Sequence, residues 1–447
     1  MARKMKNSGI AWIGEIPEDW KVIRLKSLYS FGKGLPITKE NLVDKGIPVI
    51  SYGQIHSKQT TGVEIQEHLI RYVEDIYLEQ NPQSLVTAGD FIFADTSEDV
   101  EGCGNAIYVD RELKLFAGYH TIIFKHRNNQ HKNKFLAYLF KTDAWRNQLR
   151  SKATGVKLFS ISRKILSEAK VVLPSDIEQQ AIADYLDKKC AQIDTALAKT
   201  RTAIEEYKKL KQAIITKAVT KGVRGNRPMK DSGIAWIGEI PAEWKINRIK
   251  SVCNIFGRIG FRGYTADDLV QVRQGAITLS PSNFHDMKMN YSRCSYLAWA
   301  KYYESPEIQI FDGDILFVKT GSTYGKSCLV TNLPMEATIN PQSVVLKNFS
   351  CNNRFLAYTM NSTSLAYQVE QSVVGGTIPT IAQAKINNYV FAEAPIEEQQ
   401  EIADYLDKKC ATIDTLIAKK EQLITELEAY KKSLIYEYVT GKKEVPE

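Results

Sequence analysis

The sequence predicts a mixed α/β (α+β) protein built twice over: two similar globular domains joined by two long antiparallel helices that form a coiled coil, the whole pseudo-twofold symmetric. Three observations carry that expectation. A helix-forming stretch at 178–220 (EQQAIADYLDKKCAQID and onward) returns at 398–440 (EQQEIADYLDKKCATID and onward). The string SGIAWIGEIP stands at 8–17 and again at 232–241. Between these marks each half alternates short apolar runs, Gly-bounded loops and short helical patterns, which suits a compact α/β or α+β domain with a strongly bent sheet. Two domain-sized copies are a tandem duplication, not a solenoid.

In chain order, each half opens on the repeated string and then a Trp, Trp20 or Trp244. GDFIF at 89–93 matches GDILF at 313–317, a turn followed by a buried strand. TIIFK at 121–125 matches SVVLK at 343–347, a second strand, and FLAY at 135–138 recurs at 355–358 as a short helix. Gly155 with Ile161 matches Gly375 with Ile381, just before the chain leaves for the long helix. The domain plan is therefore 1–175 for the leading segment and first domain, and 176–226 for the first long helix and linker. Residues 227–395 repeat the leading segment and domain, and 396–447 hold the second long helix.

The long segments contain no Gly or Pro before Thr220 and Thr440 and are rich in residues that lose little rotamer freedom in a helix. Leu186, Cys190, Ile193, Leu197, Ile204, Tyr207 and Ile214 fall on one a/d heptad frame. Leu406, Cys410, Ile413, Ile417, Ile424, Leu427 and Leu434 fall on the same frame in the second copy. Such a seam pairs with another helix, and core packing accounts for both cysteines on it. Residues 176–226 carry a net +3 and residues 396–447 a net −4, so the natural mate of each helix is the other. Each would run about 60 Å, long for a core helix and suited to a spacer.

Length, at 447 residues, allows each half its own core. No run of 18 apolar residues exists, so no membrane span is expected, and the basic N-terminus lacks the apolar core of a signal peptide. Seven cysteines without a CxxC pair suit a reducing cytoplasm, the expected location. The net charge of +8 resides mainly in the two blocks, net +6 over 1–175 and net +3 over 227–395. These blocks are the better candidates for touching a polyanion.

Four loops differ between the blocks while their surroundings match. In the first block they are 31–38 (FGKGLPIT), 51–61 (SYGQIHSKQTT), 95–105 (DTSEDVEGCGN) and 150–158 (RSKATGVKL). In the second they are 256–265 (FGRIGFRGYT), 279–286 (LSPSNFHD), 319–326 (KTGSTYGK) and 373–380 (VVGGTIPT). Lys and Arg suit phosphates or guanine edges, Gln and Asn suit adenine, and Ser and Thr suit either. Any one loop taken alone is equally well an ordinary solvated turn.

Two variable blocks, each closed by EQQ-x-IADYLD leading into a long helix, resemble the specificity subunit of type I restriction–modification systems. GEIPEDWKVIRLKSL at 14–28, GEIPAEWKINRIKSV at 238–252 and TGVKLFSISRKILSEAKVVLPSDIEQQ at 154–180 carry the likeness too, which covers essentially the whole chain. The resemblance implies that each block is a target recognition domain reading one half of a bipartite, asymmetric site on double-stranded DNA. It implies that the helices set the half-site separation and dock two methyltransferase (modification) subunits, which restriction/translocase subunits then join. S-adenosylmethionine, ATP and Mg would sit on those partners, with no cofactor or metal bound by this chain and no catalytic site of its own. The competing reading is a non-catalytic two-domain scaffold that binds protein.

Candidate DNA contacts are Lys33, Gln54, His56, Lys58, Lys152 and Lys157 in the first domain. In the second they are Arg258, Arg262, Tyr264, Asn283, Lys319, Ser322, Tyr324 and Lys326. Gln54 and His56 match Asn283 and His285, an amide and a His at one loop position in each half, which would suit adenine.

Catalytic signatures are poor. NPQS at 81–84 and 340–343 puts Gln and Ser where a base methyltransferase needs a second Pro and a stacking ring, and the two copies do not match in position. GSTYGKS at 321–327 has its glycines one residue too close for a phosphate loop. The acidic run 98–101 has no Lys in reach for a nuclease site and reads as a solvated loop, and six His show no metal-ligand spacing.

Overall fold

The computed structural model describes residues 3–57, 62–127 and 134–446. It divides into two compact units, Met1–Arg201 with Gln422–Glu447, and Thr202–Glu421. Each unit therefore holds one block together with part of each long helix.

In the first unit the repeated string folds as a hairpin, Met5–Asn7 against Glu15–Pro17. The chain then runs through Lys21–Arg24, which pairs antiparallel with Lys170–Leu173 and so ties the start of the domain to its end. An antiparallel sheet follows, in the order Ala106–Tyr108, Phe91–Ala94, Thr121–His126, Tyr29–Lys33. Phe91–Ala94 is buried along its whole length, as expected of a central strand. The turn before it is closed by Asp90, whose Oδ2 accepts from the Thr87 amide at 2.9 Å.

A second sheet runs Arg71–Val73, Ile47–Ile50, Leu115–Ala117, Leu85–Val86, with Leu115–Ala117 parallel to Ile47–Ile50. The sequence suggested one strongly bent sheet; among the described residues the domain has two four-stranded sheets beside its short strand pairs. The chain crosses between them at 118–120, where His120 sits at φ 54° between Leu115–Ala117 and Thr121–His126. Helices Phe135–Lys141 and Asp143–Arg150 cover the first sheet, and the core there is aromatic: Phe93 stacks on Phe124 at 4.2 Å and Trp145 packs on Phe140 at 4.3 Å.

The second unit repeats the plan. Met229–Asp231 pairs Glu239–Pro241, and Lys245–Arg248 pairs Val390–Glu393. Asn254–Gly257, Ser343–Lys347, Ile315–Val318 and Ser327–Leu329 form the first sheet. The second gains a strand but keeps its parallel pair, Ala276–Leu279 beside Ala337–Ile339. Asp314 closes the same turn as Asp90, accepting from the Phe311 amide at 2.9 Å.

The long helices span Asp176–Lys221 and Ile396–Val439. The repeated EQQ motif explains how each begins. Gln179 and Gln399 fold back to donate to the carbonyls of Pro174 (3.0 Å) and Ala394 (2.8 Å), fixing the turn from strand to helix. Glu178 takes the indole N–H of Trp20 at 3.1 Å and the Arg3 guanidinium at 2.6 Å. Glu398 takes the indole N–H of Trp244 at 3.0 Å and Arg227 at 2.6 Å. In both clamps the Arg also lies over the Trp ring, at 5.8 and 5.3 Å.

Each helix ends at a left-handed Gly, Gly222 (φ 74°) and Gly441 (φ 69°). A Cβ on Gly222 would stand 1.8 Å from the Arg227 guanidinium, and one on Gly441 2.3 Å from the Pro17 ring, so both stops are also close approaches. Further along, Asp187 accepts from Tyr138 Oη at 2.6 Å and Asp407 from Tyr358 Oη at 2.8 Å. The FLAY helices are thereby pinned to the long ones.

Within each unit the two helices run antiparallel. In the first, Lys431 Nζ bridges both Asp194 carboxylate oxygens (2.6 and 2.7 Å), and Arg201 meets Glu428 at 2.8 Å. Tyr185 packs on Tyr438 with ring centres 4.6 Å apart. In the second, Lys211 meets Asp414 at 2.6 Å and Arg224 meets Glu401 at 2.6 Å. Leu186, Ile193, Leu197, Ile204, Leu406, Ile413 and Ile417 are buried along the seam, and Ile424 is half-buried against the first unit's core. Lys211 is buried on the same frame as these apolar residues, and Lys431 occupies the matching position in the other helix.

Candidate nucleic-acid interface

The variable loops follow strands of both sheets and the second of the short helices, and in each unit several of them are tied to one another. In the first unit Ser51 opens a short helix, Tyr52–Ile55, whose capping box uses Gln54: Oε1 accepts from the Ser51 amide at 3.0 Å. His56 follows. Its Nδ1 accepts from Asn105 Nδ2 at 2.9 Å, which leaves the proton on Nε2 to donate to the Thr96 carbonyl at 2.8 Å. His56 thus fastens the loop at 51–57 to the loop at 95–105. Thr96–Ser97 in turn pairs with Phe159–Ser160, which brings in the hairpin at 154–160.

That hairpin holds Val156 91% exposed beside Lys157, with Lys152 exposed at its base. Lys33, at the end of its strand, is exposed as well. Lys58 lies outside the described residues. The acidic run sits in a tight turn, with Asp99 accepting from the Gly102 amide at 2.6 Å.

In the second unit the amide at the matched position does the same capping work. Asn283 Oδ1 accepts from the Ser280 amide at 2.9 Å, and its Nδ2 donates to the carbonyls of Asn290 and Arg293, each at 3.0 Å. It is buried. Gln54 and Asn283 correspond because both close a capping box, a reason internal to the fold.

Arg258 is also buried. Its guanidinium donates to the Ile339 carbonyl (3.2 Å), Thr338 Oγ1 (3.1 Å) and the Arg262 carbonyl (3.3 Å), and lies 5.0 Å over the Tyr264 ring. Burial pulls its pKa down from the usual arginine value. Tyr264 Oη reaches Thr278 Oγ1 at 3.3 Å and Arg262 faces Glu307 at 3.5 Å.

Lys319 is half-buried, its Nζ 3.9 Å from where a Cβ on Gly257 would stand. Ser322 and Lys326 are exposed in the turn that joins Ile315–Val318 to Ser327–Leu329, and Tyr324 Oη donates to Glu370 at 3.1 Å. A strand follows this GSTYGKS turn, whereas a phosphate loop opens a helix. Gly321 donates to the Pro379 carbonyl at 3.0 Å and Thr320 bridges Thr380, so this turn is held to the loop at 373–380.

The structure also brings forward residues outside the four loops. The crossing segment of the first unit presents Tyr119 and His120, whose rings lie 5.6 and 5.3 Å from Tyr52. His120 Nδ1 is 3.4 Å from Asp95 Oδ1. Its counterpart in the second unit is Gln342, whose carbonyl accepts from Lys319 as that of His120 accepts from Asp95. GYH at 118–120 and NPQ at 340–342 stand immediately before the matched strands TIIFK and SVVLK. Their divergence beside an otherwise common strand is the signal that marks them.

The geometry is therefore a common scaffold carrying cation-bearing loops that differ between units, several of them locked to each other. The type I restriction modification DNA specificity domain matches the chain twice, at residues 17–206 and 241–428. The chain is 23% identical over 433 residues to the type I restriction enzyme MjaVIII specificity subunit of Methanocaldococcus jannaschii, covering 96% of this chain and 93% of that one. Among solved structures it resembles a chain of a type I R-M system with a TM-score of 0.70 at 16% identity, over 96% of this chain and 99% of that one. It also resembles the HsdS subunit of Thermoanaerobacter tengcongensis with a TM-score of 0.51 at 16% identity, over 96% and 98% of the two chains. Matched over most of its length and in both halves, the chain belongs to the type I restriction–modification DNA specificity family, as a specificity subunit with two DNA-recognition domains.

Proposed function

We propose that each recognition domain reads one half of a bipartite, asymmetric site in duplex DNA, and that the paired helices set the half-site separation and dock two modification subunits. Restriction subunits then join that assembly. S-adenosylmethionine, ATP and Mg belong to those partners, this chain supplies sequence choice without catalysis, and the assembly works in the cytoplasm.

The observation that carries the reading is the sign change at one matched position, Asp95 in the first domain and Lys319 in the second, within loops that are otherwise held alike. Two domains with one scaffold and unlike loops suit two unlike half-sites, whereas a symmetric dimer would suit a palindrome. Lys33, Lys58, Lys152, Lys157, Lys319, Ser322 and Lys326 are the proposed direct contacts. Gln54, His56, Arg258 and Asn283 act by holding the loops, and Arg262, Tyr264 and Tyr324 line them.

The test is binding of the chain, assembled with modification subunits, to duplex libraries over a range of salt. Sequence-selective binding that weakens steeply with salt is the expected result. Exchange of residues 21–175 for another member's block should alter one half-site only. Selection of a single uninterrupted palindrome would overturn the bipartite site, and binding to protein without DNA preference would favour the scaffold reading.

A further inference from the structure

The residue that follows the buried second strand of each first sheet, Asp95 or Lys319, is clamped on both sides by the same two backbone bonds. The Asp95 amide donates to the His120 carbonyl at 3.1 Å, and its carbonyl accepts from the Ile161 amide at 2.8 Å. The Lys319 amide donates to the Gln342 carbonyl at 2.8 Å, and its carbonyl accepts from the Ile381 amide at 2.8 Å. A backbone fixed from two directions delivers its side chain to one place with little freedom, which is what discrimination between base edges requires. The side chains delivered there have opposite charge.

Neither side chain is consumed by the fold. Asp95 Oδ1 accepts from Thr96 Oγ1 at 2.7 Å, the side chain is 30% exposed, and its neighbour His120 is 56% exposed. Among the described residues Lys319 has no ion-pair partner, and its ammonium sits over Gly257, at the mouth of the loop at 256–265. Gly257 occupies the register of Lys33, since each lies opposite the second residue of its central strand, Val344 or Ile122. The cation at this corner thus comes from the first strand in one domain and from the second strand in the other.

On the footing of the reading above, we propose that Asp95 and Lys319 are the equivalent base-reading residues of the two domains, with inverted hydrogen-bond polarity. A carboxylate only accepts, so the first half-site presents an exocyclic amino group there, cytosine N4 or adenine N6. An ammonium only donates, so the second half-site presents the O6 and N7 acceptors of guanine.

The experiment uses the full chain assembled with its modification subunits. Methylated sites are mapped with the wild-type chain, and methylation of duplexes changed one base pair at a time is then compared for wild type, Asp95→Ala, Lys319→Gln and Lys319→Arg. Asp95→Ala, which removes the acceptor, should relax selection about tenfold or more at one cytosine or adenine of the first half-site and leave the second half-site untouched. Lys319→Gln should do so at one guanine of the second half-site, and Lys319→Arg should keep that guanine.

Equal loss on every sequence, which would mark phosphate contact or a packing role, overturns the proposal, as does unchanged selection. A wild-type assembly that selects no sequence would overturn the proposed function itself. Normal selection by wild type with indifferent variants would overturn this assignment alone. An unaltered unfolding midpoint for each variant certifies the fold, and Lys319→Arg supplies a second check at that site.

Discussion

At the scale of single residues, the two Glu clamps show how one motif takes two values by burial alone. Glu398 and Arg227 are almost wholly buried, with side chains 1% and 11% exposed, whereas Glu178 and Arg3 retain 25% and 23%. Glu398→Gln leaves Arg227 with Glu243, 3.1 Å away, and the Lys221 carbonyl, but in a site with little access to water, and should cost about 2–3 kcal/mol. Glu178→Gln leaves Arg3 with Asp19, 2.9 Å away, and with solvent, and should cost about 1 kcal/mol. Chemical denaturation of the two variants measures the difference, and equal losses would refute it. Such roles were only partly legible in the sequence. EQQ was visible as a repeated signature, but the work of its Glu, a carboxylate for the indole and guanidinium, depends on partners more than 150 residues away. The matched amides Gln54 and Asn283 fit two roles for a related reason: a capping side chain and a base-reading side chain are the same chemical group.

At the scale of elements, the seam was the most legible feature, because heptad spacing reports a face without knowledge of the partner. Its polar positions were less so. A lysine on an apolar frame looks like an interruption until its aspartate is found on the other helix, as Asp414 is for Lys211 and Asp194 for Lys431. Polar groups at such positions fix register and orientation at some cost in stability. Ile193→Asp together with Ile413→Asp puts an uncompensated carboxylate into each unit's seam and should abolish co-elution with modification subunits on a sizing column; intact assembly would refute docking through the helices. The division into two sheets escaped the sequence because it turns on three residues, 118–120, that lie between two strands of similar composition.

At the scale of the molecule, the continuity of each long helix matters more than any contact on it. Adding seven residues to both helices, between Asp194 and Lys211 and between Asp414 and Lys431, preserves the seam and lengthens it by about 10 Å, roughly three base pairs of duplex. Mapping methylated sites for such a variant should show a longer tolerated gap between unchanged half-sites, and altered half-sites with the old gap would refute the ruler. The duplicated plan itself could be read from the sequence, since strings as long as SGIAWIGEIP do not recur by accident. The reading surface could not, because it is assembled from loops that hold one another across the domain. Each long helix carries one aspartate and one lysine seventeen residues apart, Asp194 with Lys211 and Asp414 with Lys431, each pair answering the other in reverse. A strand of chain bearing both the key and the lock is complementary to a second copy of itself. A half-length polypeptide of this kind is suited to bind its own twin and read a twofold-symmetric site, whereas unlike loops on the two copies make a reader of unlike half-sites.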